Sequence, residues 1–357
     1  MTPRRHLASL DLRAVLRPFD ELGGRVAISV EDADGRCLAM SAPAVHPEAC
    51  VSRAAPIRVH DEVAGQVIAT GAEEDGPILA AAAGSLAAAL AAAVATAADA
   101  DHGPGGVSAA QLDEELAHGR RLQRSFVSLV PPDVPGYDIA AHYEAAREIG
   151  GDFFDLFRLR RRGRPLSLVI ADVTGKGIAA ALLMAFSRPL LHAAIDHTTT
   201  PAGALDRTNT ILVGERRTSL FITALCARLD IPTGRLQLAN AGHEPPLHIP
   251  ADGGPASLVL GSGTLLGAFP DIDVPPVEWW LGPGDTALFY TDGVTDAQSP
   301  SGERFDEGGL LAAVERARGG SARDLIDGIS GALERFVAGA EPADDITMVA
   351  LRRSPDR

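Results

Sequence analysis

The sequence predicts an α+β fold in which strands come in groups and helices stand between the groups. From Tyr137 onward, the strand-like runs YDIAAHY, FFDLFRL and LSLVIADV precede two helical segments. SLFITALCARLD, RLQLANAGH and TALFYTDGV follow, and two further helical segments between Glu307 and Val337 precede ITMVALRR. That grouping fits a sandwich better than a strictly alternating parallel sheet. A chain of 357 residues is long enough for two ordinary domains, each with its own core, and the breaker cluster HGPGG at His102 to Gly106 supplies a boundary.

Residues 1–102 read as a small, sensor-like α/β domain. RVAISV and RCLAM flank Asp34-Gly35, a hairpin signal, and APIRV and GQVIAT repeat the pattern around a short polar turn. The uncharged stretch from Ile78 to Ala98 is long enough to cross a bilayer. It is mostly alanine, has acidic flanks at Glu73, Glu74, Asp75, Asp99 and Asp101, and carries no aromatic or basic anchor, so a packed helix is expected and no membrane span. Residues 103–131 form a helical linker: Ser108 is a cap, and Leu112, Leu116, Leu122, Phe126 and Leu129 recur at helical spacings before Pro131. The stripe suits ordinary core packing and, equally, a coiled coil that pairs two chains into a homodimer. Residues 132–357 form the remaining domain.

The formal net charge of -15 argues against a nucleic-acid or anionic-membrane partner held by bulk electrostatics. Arg120, Arg121 and Arg124, and the run Arg158 to Arg164, read as solvated faces or loops. Cys37, Cys50 and Cys226 are odd in number and lack C-x-x-C spacing, which indicates neither a disulfide framework nor a zinc site and fits a reducing, cytoplasmic compartment. At the N-terminus, Asp11 and Arg13 interrupt any apolar core, so no signal peptide is expected.

Aspartates fall where strands meet small residues. Asp152 and Asp155 lie in EIGGDFFD, Asp172 closes LVIAD, Asp292 closes ALFYTD, and Asp344 and Asp345 open the last strand in ADDITMV. One strand-end aspartate is ordinarily a turn former or helix cap. Four such turns in one domain point to an oxygen-only ligand set for hard cations such as Mg²⁺ or Mn²⁺, two of which, sharing carboxylates, activate water for phosphoryl chemistry. Other motifs fail on spacing. A P-loop would need glycine at Ile170 and Ser or Thr at Gly177; GGDFF departs from the GGDEF signature of diguanylate cyclases at Phe153 and Phe154. GHEPPLH places Leu247 where a second zinc-binding His belongs, and Pro245 with Pro246 forbids the helix, leaving His243 structural or near the site. No G-x-S-x-G elbow is present.

EIGGDFFDLF, ADVTGKGIAAALLMA, NAGHEPPL, LFYTDGVTDA and ADDITMVAL occur in an order and spacing that resemble the bacterial SpoIIE/RsbU-type, PP2C-like (PPM) serine/threonine phosphatases, from Tyr137 to Arg353. The resemblance implies an αββα sandwich with two Mg²⁺ or Mn²⁺ ions at one edge. Asp172 resembles the carboxylate that bridges both ions, the Val173 carbonyl a backbone ligand of the second, and Asp152 an acidic ligand on that side. Asp292 and Asp344 resemble ligands of the first ion. Asp345 is a further metal candidate, read first as a neighbour that orients the site. The implied chemistry is in-line attack of a water bridging the ions on a phosphorylated serine or threonine, releasing the free hydroxyl and inorganic phosphate with no phospho-enzyme. The implied partner is a phosphorylated protein, an anti-sigma factor antagonist in a partner-switching pathway. Lys176 is ordinary in the family's glycine turn, and Arg147 is a candidate phosphate ligand read first as a surface residue. VHDEVAGQVIATG is weakly similar to the end of a GAF-type ligand-binding domain. The alternatives are a non-catalytic regulatory module with the PP2C fold and a purely ligand-sensing protein.

Overall fold

A computed structural model of the chain describes residues 26–40, 50–59, 62–72 and, between 130 and 355, all but 147–148, 160–162, 176, 215–219 and 341, with a few residues elsewhere. The chain divides into two compact units, the main boundary falling between Phe126 and Val127. The linker expected over 103–131 lies outside the described residues except for Val130 and Pro131, as do Lys176 and Arg147.

In the first unit, strands β1 (Val26–Asp32), β2 (Cys37–Met40), β3 (Cys50–Val59) and β4 (Glu62–Ala72) make an antiparallel sheet of order β2-β1-β4-β3. The Asp-Gly signal marks its first hairpin. The Asp32 carboxylate accepts the backbone N–H groups of Asp34 at 2.9 Å and Arg36 at 2.8 Å, and Gly35 takes the φ of +77° that the tight turn demands. Ile28, Val30, Ile57, Val59 and Val67 form a core with Leu7, Leu12, Ala83, Ala87 and Leu90. Ala83, Ala87 and Leu90 are helical, and their spacing puts them on one face. This buried face is where a packed helix would place them. No helix of the described residues is long and apolar enough to cross a membrane. Nothing in the four-stranded sheet confirms a GAF-type module. Cys37 and Cys226 are both free thiols.

The second unit contains β5 (Tyr137–Glu144), β6 (Phe153–Arg158), β7 (Leu166–Val173), β8 (Ile222–Asp230), β9 (Arg235–Ala241), β10 (Leu247–Ile249), β11 (Ser257–Leu258), β12 (Pro276–Trp280), β13 (Thr286–Tyr290) and β14 (Ile346–Arg353). Its helices are α1 (Ile178–His197), α2 (Pro201–Gly214), α3 (Asp292–Thr295), α4 (Asp306–Ala317) and α5 (Ala322–Val337). The strands form two five-stranded antiparallel sheets, ordered β11-β10-β13-β14-β5 and β12-β9-β8-β7-β6.

Alternation along β13 and β14 explains the layering, because successive side chains leave opposite faces of a sheet. Ala287, Phe289, Val349 and Leu351 join a core with Val169, Leu225 and Leu238 of the other sheet and with Met184, Leu191 and Leu205 of α1 and α2. Leu288, Tyr290, Met348 and Ala350 join a separate core with Leu310 and Val314 of α4 and Ile326 and Ile329 of α5. With both faces covered, β13 is buried throughout and reads as a continuous apolar run. The expected αββα sandwich is therefore the observed architecture. Strands β10, β11 and β12 were not expected: they are two to five residues long and sit among Pro and Gly residues that disguise them. The expected run TALFYTDGV breaks after Tyr290, since Thr291 in extended conformation starts the short helix α3 at Asp292.

Candidate metal-binding active site

Antiparallel pairing brings the acidic turns to one edge. In the second sheet Phe153 faces Ala171, so Asp152 just before β6 and Asp172 near the end of β7 lie at the same end of their ladder. In the first sheet Tyr290 faces Met348, so Thr291 and Asp292 after β13 meet Asp344 and Asp345 before β14. The ladder continues one step further through the Thr291 N–H, which donates to the Thr347 carbonyl at 3.1 Å.

Asp152 is buried, and its Oδ2 accepts the hydroxyls of Thr291 and Thr347, each at 2.7 Å. Asp345 is also buried, but its oxygens face backbone: Oδ1 accepts the Ala146 N–H at 2.8 Å, and Oδ2 accepts those of Gly151 at 2.6 Å and Asp152 at 3.3 Å. Asp345 thus shapes the Gly150-Gly151-Asp152 turn. The glycines make this approach possible. A Cβ on Gly150 would stand 2.2 Å from Asp345 Oδ2, and one on Gly293 would stand 1.9 Å from the Asp345 carbonyl oxygen. Asp172, Asp292 and Asp344 are half-buried.

Burial, then the charges of Asp172 and Asp345, raise the Asp152 carboxyl well above the usual carboxylate range, against the two threonine hydroxyls. Burial also pushes Asp172 up to about 7; the charges of Asp292, Asp344 and Asp345 add to this, and a hydrogen-bonding contact with Asp152 opposes it. Five carboxylates therefore share one electrostatic neighbourhood, with no cation among the described residues acting on Asp152 or Asp172. Among the described residues, no three His, Cys, Asp or Glu side chains close fully around one point as a finished ion site. The donors nevertheless fit a hard divalent cation. They are all oxygen, and Gly151 leaves open a cradle where an added Cβ would stand 2.8 Å from the Val173 carbonyl oxygen and 3.5 Å from Asp172 Oδ1.

The turn after Asp172 is held from both sides. Gly175 and Gly177 take φ values of +94° and +76°, and Thr174 is tied to Phe221 at 3.0 Å through its N–H and its hydroxyl. His243 supports the floor. Its Nδ1 lies 2.9 Å from the hydroxyl of Thr223, the residue paired with Asp172, and Asn240 grips its backbone at 2.7 and 2.8 Å. Burial pushes its imidazole down to about 4, against a backbone contact with Tyr290, so His243 is a neutral structural residue. Asp155 goes elsewhere: its Oδ2 lies 2.7 Å from His192 Nδ1 on α1, whose ring stacks on Phe157.

Thr291 and Thr347 escaped the sequence reading, although Thr291 directly precedes Asp292 and Thr347 follows Asp345 after one intervening residue. Glu244 did as well. Burial raises its carboxyl, and the charges of Asp292, Asp296 and Glu307 raise it further, which places it on the Asp292 side of the site.

The Stage II sporulation protein E (SpoIIE) family profile matches residues 162–354, more than half of the chain. The chain belongs to the SpoIIE family. Protein IcfG of Synechocystis sp. (strain ATCC 27184 / PCC 6803 / Kazusa) is 31% identical over 268 residues, covering 67% of this chain and 42% of IcfG. Phosphoserine phosphatase RsbU of Bacillus subtilis (strain 168) is 26% identical over 245 residues, covering 68% of this chain and 71% of RsbU. The chain thus spans less than half of the length of IcfG and most of that of RsbU. The structure of the SiaA-PP2C domain of Pseudomonas aeruginosa superposes with a TM-score of 0.58 at 20% identity, covering 69% of this chain and 99% of that domain, which establishes the PP2C fold for this SpoIIE-family chain.

Proposed function

We propose that the chain is a metal-dependent protein serine/threonine phosphatase acting on phosphoserine or phosphothreonine of a signalling partner. The observation that carries this reading is the pair Asp152, buried, and Asp172, half-buried, at one edge of the sandwich and each raised by desolvation and by neighbouring carboxylates. Its relative RsbU is named a phosphoserine phosphatase. Mg²⁺ or Mn²⁺ ions, two by the family resemblance, supply when bound a water of lowered pKa and positive charge against the phosphoryl oxygens.

Asp152, Asp172, Asp292 and Asp344, with the Val173 carbonyl, would hold the cations; by the resemblance Asp172 would be the ligand they share. Asp345 orients the turn that carries Asp152. Burial and the neighbouring carboxylates push the Asp172 carboxyl up to about 7, and a bound cation would favour its charged form. The overall reaction adds water across the P–O bond, leaving a serine or threonine hydroxyl and inorganic phosphate. By the same resemblance the substrate is an anti-sigma factor antagonist of a partner-switching pathway in the cytoplasm, and the first unit is a ligand-sensing module that acts through the 103–131 linker in a homodimer.

The test is phosphate release from a phosphoserine peptide by the full chain with Mn²⁺, with Mg²⁺ and with EDTA. Release with either ion and none with EDTA is expected. Folded protein that releases no phosphate with either ion would leave a non-catalytic PP2C-fold module in its place.

A further inference from the structure

Of the two threonines that hold Asp152, Thr291 directly follows β13 and Thr347 lies on the neighbouring β14 of the first sheet, whereas Asp152 directly precedes β6 of the second. Both are fully buried. The Thr347 N–H donates to Thr291 Oγ1 at 3.0 Å, which turns the Thr291 hydroxyl proton toward Asp152 Oδ2 at 2.7 Å; its alternative acceptor, the Asp345 carbonyl, is farther away at 3.4 Å. The Thr347 hydroxyl reaches the same Oδ2 at 2.7 Å. A carboxylate oxygen has two lone pairs, and two donors occupy both. Oδ1 is therefore the oxygen of Asp152 that these hydroxyls leave untouched.

We propose that Thr291 and Thr347 are positioning residues that make Asp152 a one-oxygen ligand and thereby set the site's preference for small, six-coordinate cations over Ca²⁺. This rests on the reading of the site as a cation site. Mg²⁺ and Mn²⁺ suit a compact octahedral oxygen set, while Ca²⁺ takes six to eight oxygens and gains from carboxylates that bind through both. A clamp that removes Oδ2 withholds that second oxygen from the larger ion. It also fixes the direction of Oδ1, and loss of such outer partners weakens metal binding by ~10–100-fold.

The experiment is calorimetric titration of the full chain with Mn²⁺ and separately with Ca²⁺, alongside thermal melts without metal. Thr347→Val keeps the shape and removes the hydroxyl; Thr347→Ser keeps the hydroxyl. In Thr347→Val the Mn²⁺ dissociation constant should rise about tenfold while that for Ca²⁺ does not rise, and Thr347→Ser should restore the wild-type preference. Thr291→Val is read the same way and decides the matter should Thr347→Val fail to fold. A purely structural role would lower the melting temperature and weaken both ions alike; an unchanged Mn²⁺-to-Ca²⁺ ratio, or a serine variant that behaves like valine, overturns the clamp. Wild-type protein that binds no Mn²⁺ overturns the cation site itself and the proposal with it, so the two failures are told apart.

Discussion

The two ends of β13 carry the same kind of side chain in opposite conditions. At its start, Asp285 Oδ1 accepts the Ala251 N–H at 2.8 Å, and Oδ2 meets the Gly282 N–H at 3.0 Å and His248 Nε2 at 2.9 Å. Burial pushes that carboxyl up, yet the Ala251 N–H, His248 and the Gly282 N–H together hold it below its ordinary value. Past its end, Asp292 joins Asp152 and Asp172, where burial and like charge both act upward. A carboxylate met by donors from its own chain stabilises the fold. A group of carboxylates set against one another makes the metal-free fold less stable and suits a charge that must come from outside.

Breaking the far end should have the largest effect. Asp172→Asn removes charge from the crowded neighbourhood, so metal-free protein should melt at a higher temperature, while Mn²⁺ affinity falls by more than about 100-fold, beyond the range for outer partners of ligands. Calorimetric titration and a melt of the same sample check both; undiminished Mn²⁺ binding would erase the contrast between the two ends. Next comes acid, through His243 beneath the site. Its folded pKa of about 4 lies under the unfolded value of roughly 6.5, so between those values the unfolded chain takes a proton that the folded chain refuses. Stability from this residue is intact above that window and declines as pH falls through it, by up to ~3 kcal/mol, at about 1.4 kcal/mol per pH unit. Denaturant titrations at several pH values should show a smaller acid loss in His243→Gln than in the wild type. The smallest effect belongs to the near end: Asp285→Ala should cost about 1 kcal/mol of stability by removing the acceptor of three exposed or partly buried donors, with Mn²⁺ affinity unchanged. Its contribution is present above the unfolded carboxyl pKa and disappears as pH falls through the depressed folded value. A shift in Mn²⁺ binding in this variant would show that the two ends are not separate.

Much of this contrast was legible in the sequence because strand ends announce themselves. Asp152, Asp172, Asp292 and Asp344 each sit where an apolar run meets small residues, and antiparallel pairing does the rest. The hydroxyl clamp was not legible, since Asp152 is 139 residues from Thr291 and 195 from Thr347, and no local period records such a contact. Asp155 shows the converse error available to pattern reading: it shares the EIGGDFFD motif, yet β6 turns it toward His192 and away from the other carboxylates. The short strands β10 to β12 were hidden by length, because two to five residues give too little alternation to read.

Asp345 has one more consequence. By accepting the N–H groups of Ala146, Gly151 and Asp152, it ties down the backbone at these three positions without a metal ion. Fixing a residue's backbone costs roughly 1–2 kcal/mol in entropy, and here that ordering is completed when the protein folds. A cation binding there would meet a turn already held in place, so shedding its own water, at which Mg²⁺ is reluctant, would set the pace of its capture.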